Sequence, residues 1–358
     1  MDDCCGALIH GGDIQSFIKQ YGSAPLDFSA NINPLGVPDG VRRAICEAAV
    51  SADRYPDPLC RDLRLAIANC ERVKPEQIFC AAGAAEIIYR LASALKPKYA
   101  LIPAPTFSEY ELALTRQGCM VERHLLKAED EFTLTEAILP KLHAGVDVIF
   151  LCNPNNPTGK LIDAALLRKI WGRCAEHNIR LVVDECFLGF TPQPETQTLV
   201  PMLSQYKKLV LLKAFTKLYG MAGVRLGYCL CHDATLIQRL YEVGPPWNVS
   251  TLAQQAGIAA LGERDYLEKS RTIIASERPR MQAALTALGM NVIDSKSNYI
   301  MFFSSLPFLG DKLCQAGVLI RSCANFEGLN EGWYRVAVRT PPENDRLLLA
   351  LKQVVEGM

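Results

Sequence analysis

Apolar residues fall along this chain in two alternating rhythms. "QIFCAAG" (77–83), "YALIPAP" (99–105), "VDVIFLCNP" (146–154), "IRLVVDE" (179–185) and "KLVLLKAF" (208–215) are continuous apolar runs, as expected of strands buried on both faces of a parallel sheet. Between them, "AEIIYRLASALK" (85–96) and "AALLRKIWGRCAEHN" (164–178) carry apolar side chains at helical spacing, which suits crossover helices. "VRLGYCLC" (224–231) alternates, so its neighbouring side chains point to opposite faces of a strand. The pattern predicts an α/β sheet with helices on both sides. After about residue 250 it shifts to "NYIMFFS", "GVLIRS" and "WYRVAVR", short strands among helices that form a smaller α+β unit. The expected division is an N-terminal arm (1–44) returning to the small unit, a large domain (45–250) and a small C-terminal domain (251–358).

At 358 residues, one large domain with a smaller one is the natural expectation. Positive and negative residues balance to a formal charge of zero, which argues against nucleic acid or an anionic membrane as partner. No apolar segment reaches membrane-spanning length. The start, "MDDCCGALIHGG", lacks a basic segment followed by a long apolar one, so no signal peptide is expected. Fourteen cysteines are scattered without paired C-x-x-C spacing. "CLCH" (229–232) lies on an alternating strand, so no metal is expected there. The spread suits free thiols packed as small apolar groups in a reducing cytoplasm.

Chemistry enters at the strand ends. Gly83, Asn156, Asp184 and Lys217 all fall just past the carboxyl ends of predicted strands, where ligands bind in open α/β sheets. "AFTKLYGMAGVRLG" (214–227) places Lys217 eight residues before Arg225. A lysine taken alone is normally a surface residue. One buried at the end of a core strand is costly unless something uses it.

The order of a small-residue turn, "PTF", "NPNNPTG", "VVDE" and then "TK" with an arginine eight residues on resembles the fold-type I pyridoxal-phosphate enzymes over nearly the whole chain. The resemblance implies a mostly parallel seven-stranded sheet in the large domain and pyridoxal 5′-phosphate as cofactor. Lys217 corresponds to the lysine that carries the cofactor, and needs an amine able to lose its proton. Asp184 corresponds to the carboxylate facing the pyridine nitrogen, and Asn156 to the amide facing the phenolic oxygen. The Asn156–Pro157 bond is a candidate cis peptide. Phe107 would stack on the ring. Gly83, Ala84 and Ala85 would present backbone N–H groups to the phosphate at a helix start. Thr216 and Arg225 would complete that site, with Tyr55 reaching in from a neighbouring subunit of a homodimer. Many relatives have hydroxyl side chains where this chain has Ala85 and Ala214, so backbone donors must carry more of the phosphate.

Within that family, "IHGGDI" (9–14), "DFSANINPLG" (27–36), "FSEYELAL" (107–114) and "LIRSCANFEGLNEGWYRVAVRT" (319–340) are similar to the threonine-phosphate decarboxylases of cobalamin biosynthesis. That implies a carboxy-lyase acting on L-threonine O-3-phosphate. The alternatives are a histidinol-phosphate or other amino-acid aminotransferase, or activity on serine phosphate. A regulator that kept the fold for ligand sensing is disfavoured by the presence of Lys217, Asp184 and Asn156 together. The histidinol-phosphate enzymes usually have tyrosine and glycine where this chain has Phe187 and Arg339. A substrate with a phosphate and an α-carboxylate needs more than one anion site, and arginine binds both groups well. Arg321, Arg335 and Arg339, with His10 and Asn33, are the candidates. On strand alternation Arg335 and Arg339 share a face. The expected split gives the phosphate to Arg321, Arg339 and His10, and the carboxylate to Arg335 and the backbone near Asn33.

Overall fold

In the computed structural model, which describes residues 10–357, every continuous apolar run becomes a strand. The start of the chain, where no signal peptide was expected, lies outside the described residues. A two-residue strand in the arm, β1 (Leu26–Asp27), precedes the strands of the main sheet: β2 (Ile78–Ala81), β3 (Tyr99–Ala104), β4 (Met120–Leu125), β5 (Val148–Cys152), β6 (Arg180–Asp184), β7 (Leu209–Ala214) and β8 (Gly227–Cys231). Their order is β2-β8-β7-β6-β5-β3-β4. All pairings are parallel except those of β8, which runs against both neighbours.

The runs are continuous because both faces are covered. Ile149, Leu181 and Leu211 pack into one apolar cluster, while Phe150, Val182 and Val210 pack into another on the opposite side. β4 has no such signature, since at the sheet edge its residues are all exposed or half-buried. The helices Asp39–Ala48, Arg61–Glu71 and Thr251–Ala260 pack together and send Val41, Leu63 and Ala256 into the first cluster.

The smaller unit holds β9 (Asn291–Val292), β10 (Tyr299–Phe303), β11 (Val318–Leu319), β12 (Arg321–Ser322) and β13 (Trp333–Ala337). Four of these make an antiparallel sheet ordered β12-β13-β10-β9. The start of the described chain runs beside this unit. β1 pairs in parallel with β11, and Ala337 N–H donates to Phe28 O at 2.9 Å. Among the described residues every cysteine is free and most are buried. No helix among them is long and apolar enough to cross a membrane, and no group of three or more His, Cys, Asp or Glu is placed to hold a metal.

Candidate active site

A cavity of about 420 Å³ opens past the carboxyl ends of β5, β6 and β7. Lys217 lines it from the single helical turn Phe215–Leu218 that follows β7. Burial first, then the nearby Arg335 and Arg225 guanidinium groups, lower the Lys217 pKa to about 8. It makes no ion pair among the described residues. The turn is clamped from behind by Asn33, whose N–H donates to Lys217 O at 3.0 Å and whose Nδ2 donates to Leu218 O at 2.8 Å. Asn33 Oδ1 accepts the Leu35 N–H at 3.0 Å. The expectation that Asn33 helps bind substrate is therefore corrected: its polar atoms are spent on backbone, and it does not line the cavity. Two residues earlier, Asn31 does line it, buried and with Oδ1 unpartnered.

Asp184 ends β6 and is buried. Its Oδ1 accepts the Cys186 N–H at 2.9 Å and its Oδ2 the Tyr110 hydroxyl at 2.7 Å. Burial pushes the Asp184 carboxyl up, opposed by these hydrogen bonds. A cationic N–H in the cavity would restore its charge. Tyr110, absent from the sequence reading, stands three residues after Phe107 and meets it edge-on at 5.6 Å. Asn156 lines the wall, and the Asn156–Pro157 bond that follows it is cis, as expected. Its Oδ1 accepts from Arg335 Nη1.

The phosphate candidates meet where β2 turns into the helix Ala84–Leu95. Gly83, at φ 96, precedes that helix, whose first N–H groups have no partner within it. Ala84 and Ala85 line the cavity with Thr216, Arg225 and Ala214. A Cβ on Gly83 would lie 2.7 Å from Arg225 Nη2, and one on Gly227 would lie 2.7 Å from Ala84 N. The arginine and the helix start thus approach closely only because both positions lack side chains. Arg225 sits at φ 60, a conformation non-glycine residues rarely adopt and one that tends to mark functional sites. A cradle for an anion, an amine with a lowered pKa, a buried carboxylate and an aromatic wall together fit pyridoxal phosphate.

On the opposite wall, Arg321 and Arg335 are directly paired across β12 and β13, and both line the cavity. Like charges facing each other across strands repel. Burial lowers the pKa of each, and Arg335 lowers that of Arg321 further. Arg335 Nη2 donates to Ser29 O at 3.0 Å, while Nε is buried without a partner. Arg339 is elsewhere. Its guanidinium bonds Glu343 at 2.6 and 2.9 Å and Asp27 O at 3.1 Å, outside the cavity lining. The shared-face expectation fails because β13 ends at Ala337, and alternation applies only while the chain remains a strand. Beyond it, the capping box of Thr340 and Glu343 opening the helix Pro341–Glu356 captures Arg339.

His10 lines the cavity 5.7 Å from the Phe107 ring centroid. Its Nε2 lies 2.6 Å from Glu109 Oε1. Glu109 had no sequence signal beyond its place in "FSEYELAL". Tyr55 is 80% exposed and stacks on Trp247 at 4.6 Å, away from this chain's own cavity.

This combination of seven-stranded sheet and site defines a pyridoxal-phosphate enzyme of the aminotransferase fold. The chain belongs to the class I and II aminotransferase family, with residues 23–351 matching. It is similar to the threonine-phosphate decarboxylase of Salmonella typhimurium, 39% identical over 98% of this chain and 97% of that protein. The histidinol-phosphate aminotransferase of Brevibacillus brevis is 28% identical over 97% and 95%. The solved histidinol-phosphate aminotransferase of Clostridium acetobutylicum superposes with a TM-score of 0.87 at 30% identity, covering 93% of this chain and 99% of that one.

Proposed function

We propose that this protein is a cytoplasmic, homodimeric pyridoxal-phosphate-dependent carboxy-lyase. It converts L-threonine O-3-phosphate to (R)-1-aminopropan-2-ol O-phosphate for cobalamin biosynthesis. The observation that carries the reading is the cross-strand pair Arg321 and Arg335 facing the same cavity as Lys217. Two cations held opposite each other suit a substrate with two anions, one on the amino-acid carbon and one on its side chain.

The cofactor supplies a sink for the electron pair left on Cα when a bond to it breaks. Which bond to Cα breaks would depend on how the protein orients the substrate, so the anion sites would decide between decarboxylation and transamination. Arg335, bonded to Asn156 and Ser29 and lining the cavity, takes the carboxylate. Arg321 and His10 take the phosphate. Asp184 keeps a proton on the ring nitrogen. Lys217, with a pKa near 8, would hold the cofactor and could deliver a proton to Cα. The 45–250 domain would hold the cofactor, while the arm 1–44 and the 251–358 domain would supply the groups that bind the substrate's anions. Tyr55 reaches the phosphate of the partner subunit's cofactor, which suits its exposure here.

Product analysis with threonine phosphate, serine phosphate and histidinol phosphate tests the reading. The expected result is carbon dioxide released from threonine phosphate without consumption of a keto acid. Pyridoxamine phosphate accumulating with histidinol phosphate as the better donor would overturn it in favour of an aminotransferase. Equal rates with serine phosphate would widen the substrate class, since one methyl discriminates by only about 1–3 kcal/mol.

A further inference from the structure

Glu109 is a carboxylate in a cavity wall otherwise rich in cations, and both its oxygens are engaged. The Tyr89 hydroxyl donates to Oε2 at 2.6 Å, and His10 Nε2 meets Oε1 at the same distance. Burial, then the Glu109 carboxylate, hold the Tyr89 phenol up, so it remains a donor. Glu109 is nearly buried while His10 is about half exposed. An isolated surface pair of this kind contributes little. This one has its carboxylate fixed by a second bond before the imidazole arrives.

His10 belongs to the arm, where its segment is held against Ser29. Gly12 N–H donates to Ser29 Oγ at 2.7 Å. Gly11 lies so close that a Cβ there would come within 2.3 Å of Ser29 O. That same oxygen accepts from Arg335. Tyr89 and Glu109, by contrast, stand on the helices Ala84–Leu95 and Glu109–Thr115 beside the main sheet. The His10–Glu109 contact therefore joins the arm, and through Ser29 the small sheet, to the large domain at the cavity wall.

We infer that Glu109, braced by Tyr89, is a positioning residue for the substrate's phosphate: it accepts from His10 Nε2–H, so that the doubly protonated imidazole has its Nδ1–H left to donate to the anion. This deepens the proposed function and rests on the substrate carrying a phosphate. It also gives the arm a reason to stay docked when the phosphate is bound, because the imidazole then bridges a carboxylate and an anion.

The test uses the holoenzyme and the variants Glu109→Gln, Tyr89→Phe, His10→Ala and the double variant His10→Ala/Glu109→Gln. Glu109→Gln is expected to raise KM for threonine phosphate about tenfold, as loss of one charge-assisted hydrogen bond does, and to raise KM more than it lowers kcat. Tyr89→Phe, which removes only a hydroxyl, should raise KM about threefold, within the range of one neutral hydrogen bond. The double variant should bind no worse than His10→Ala alone, because Glu109 acts through His10. Full multiplication of the two single effects, or a fall in kcat with KM unchanged, overturns the inference. In parallel, calorimetry with inorganic phosphate on borohydride-reduced holoenzyme reads the same coupling without turnover. If threonine phosphate is not decarboxylated but the coupling appears, the function reading fails and the Glu109 inference stands. If phosphate binding ignores Glu109, the inference fails whatever the substrate.

Discussion

Lys213 and Lys217 lie four residues apart at the end of one strand, and both are buried or half-buried, yet their surroundings are opposite. Lys213 Nζ reaches both oxygens of Glu71 at 2.7 and 2.9 Å and Glu185 at 3.6 Å. Tyr228 donates to the same Glu71 at 2.5 Å. Burial pushes the Lys213 pKa down, but Glu185 and Glu71 together push it up by more. Lys217 has the burial without the carboxylates. Its strongest charged neighbours are Arg335 and Arg225, and its pKa falls to about 8. Burial alone therefore does not make a lysine reactive. What matters is whether the fold supplies a counter-charge or withholds one. The strand pleat accomplishes the separation: Lys213 points to the face opposite Ala214, and Lys217 leaves the strand altogether.

The sharpest way to break this comparison is to remove each amine in turn. Lys217→Ala should lose turnover by ~10³-fold or more, at the upper range for a group that moves a proton in the reaction, with its thermal midpoint nearly unchanged. Borohydride should fix the cofactor on the peptide holding Lys217. Lys213→Ala should do the reverse. It strands Glu71 and Glu185 and should cost roughly 3–5 kcal/mol of stability, while activity per folded molecule survives. Cofactor label on Lys213 would overturn the assignment.

A pH titration sharpens the same contrast. Only the neutral amine captures the cofactor, so the capture rate of the apoprotein should be high above pH 8 and fall as Lys217 gains a proton below its pKa of about 8. Arg335→Leu removes a neighbouring positive charge, which raises that pKa, and should move the midpoint upward by about one unit. An unmoved midpoint would show that Arg335 has no part in setting it.

The smallest expected effect lies between the two lysines. Ala214 lines the cavity beside Thr216 and brings no hydroxyl of its own. Ala214→Ser should slow cofactor loss about tenfold, the value of one hydrogen bond to an anion. Equal dissociation rates would show that the helix start, Thr216 and Arg225 already saturate the phosphate.

The cofactor wall was far more legible in the sequence than the substrate wall. Continuous apolar runs put Lys217, Asp184, Asn156 and the Gly83 turn at strand ends facing the crevice, and the order of motifs resembling the fold-type I pyridoxal-phosphate enzymes supplied their expected roles. Tyr110 and Glu109 carry no such signal, since on the short helix Glu109–Thr115 a tyrosine and a glutamate read as core and surface. Asn31 and Asn33 share one motif, and only the folded turn decides which faces the cavity and which clamps the backbone of Lys217 and Leu218.

What the sequence determined by itself was the alternation of buried strands with crossover helices, and the position of Gly83, Asn156, Asp184 and Lys217 at the strand ends. Those depend on local periodicity and on which residue types can terminate a buried run. Only the tertiary structure decided that Arg321 and Arg335 face each other across β12 and β13 while Arg339 turns away to Glu343. It also decided that His10 meets Glu109 across 99 residues of sequence. The physical reason is that a long charged side chain is indifferent to local pattern. Its position is set by where a counter-charge, a helix cap or a neighbouring strand has been placed by the rest of the chain.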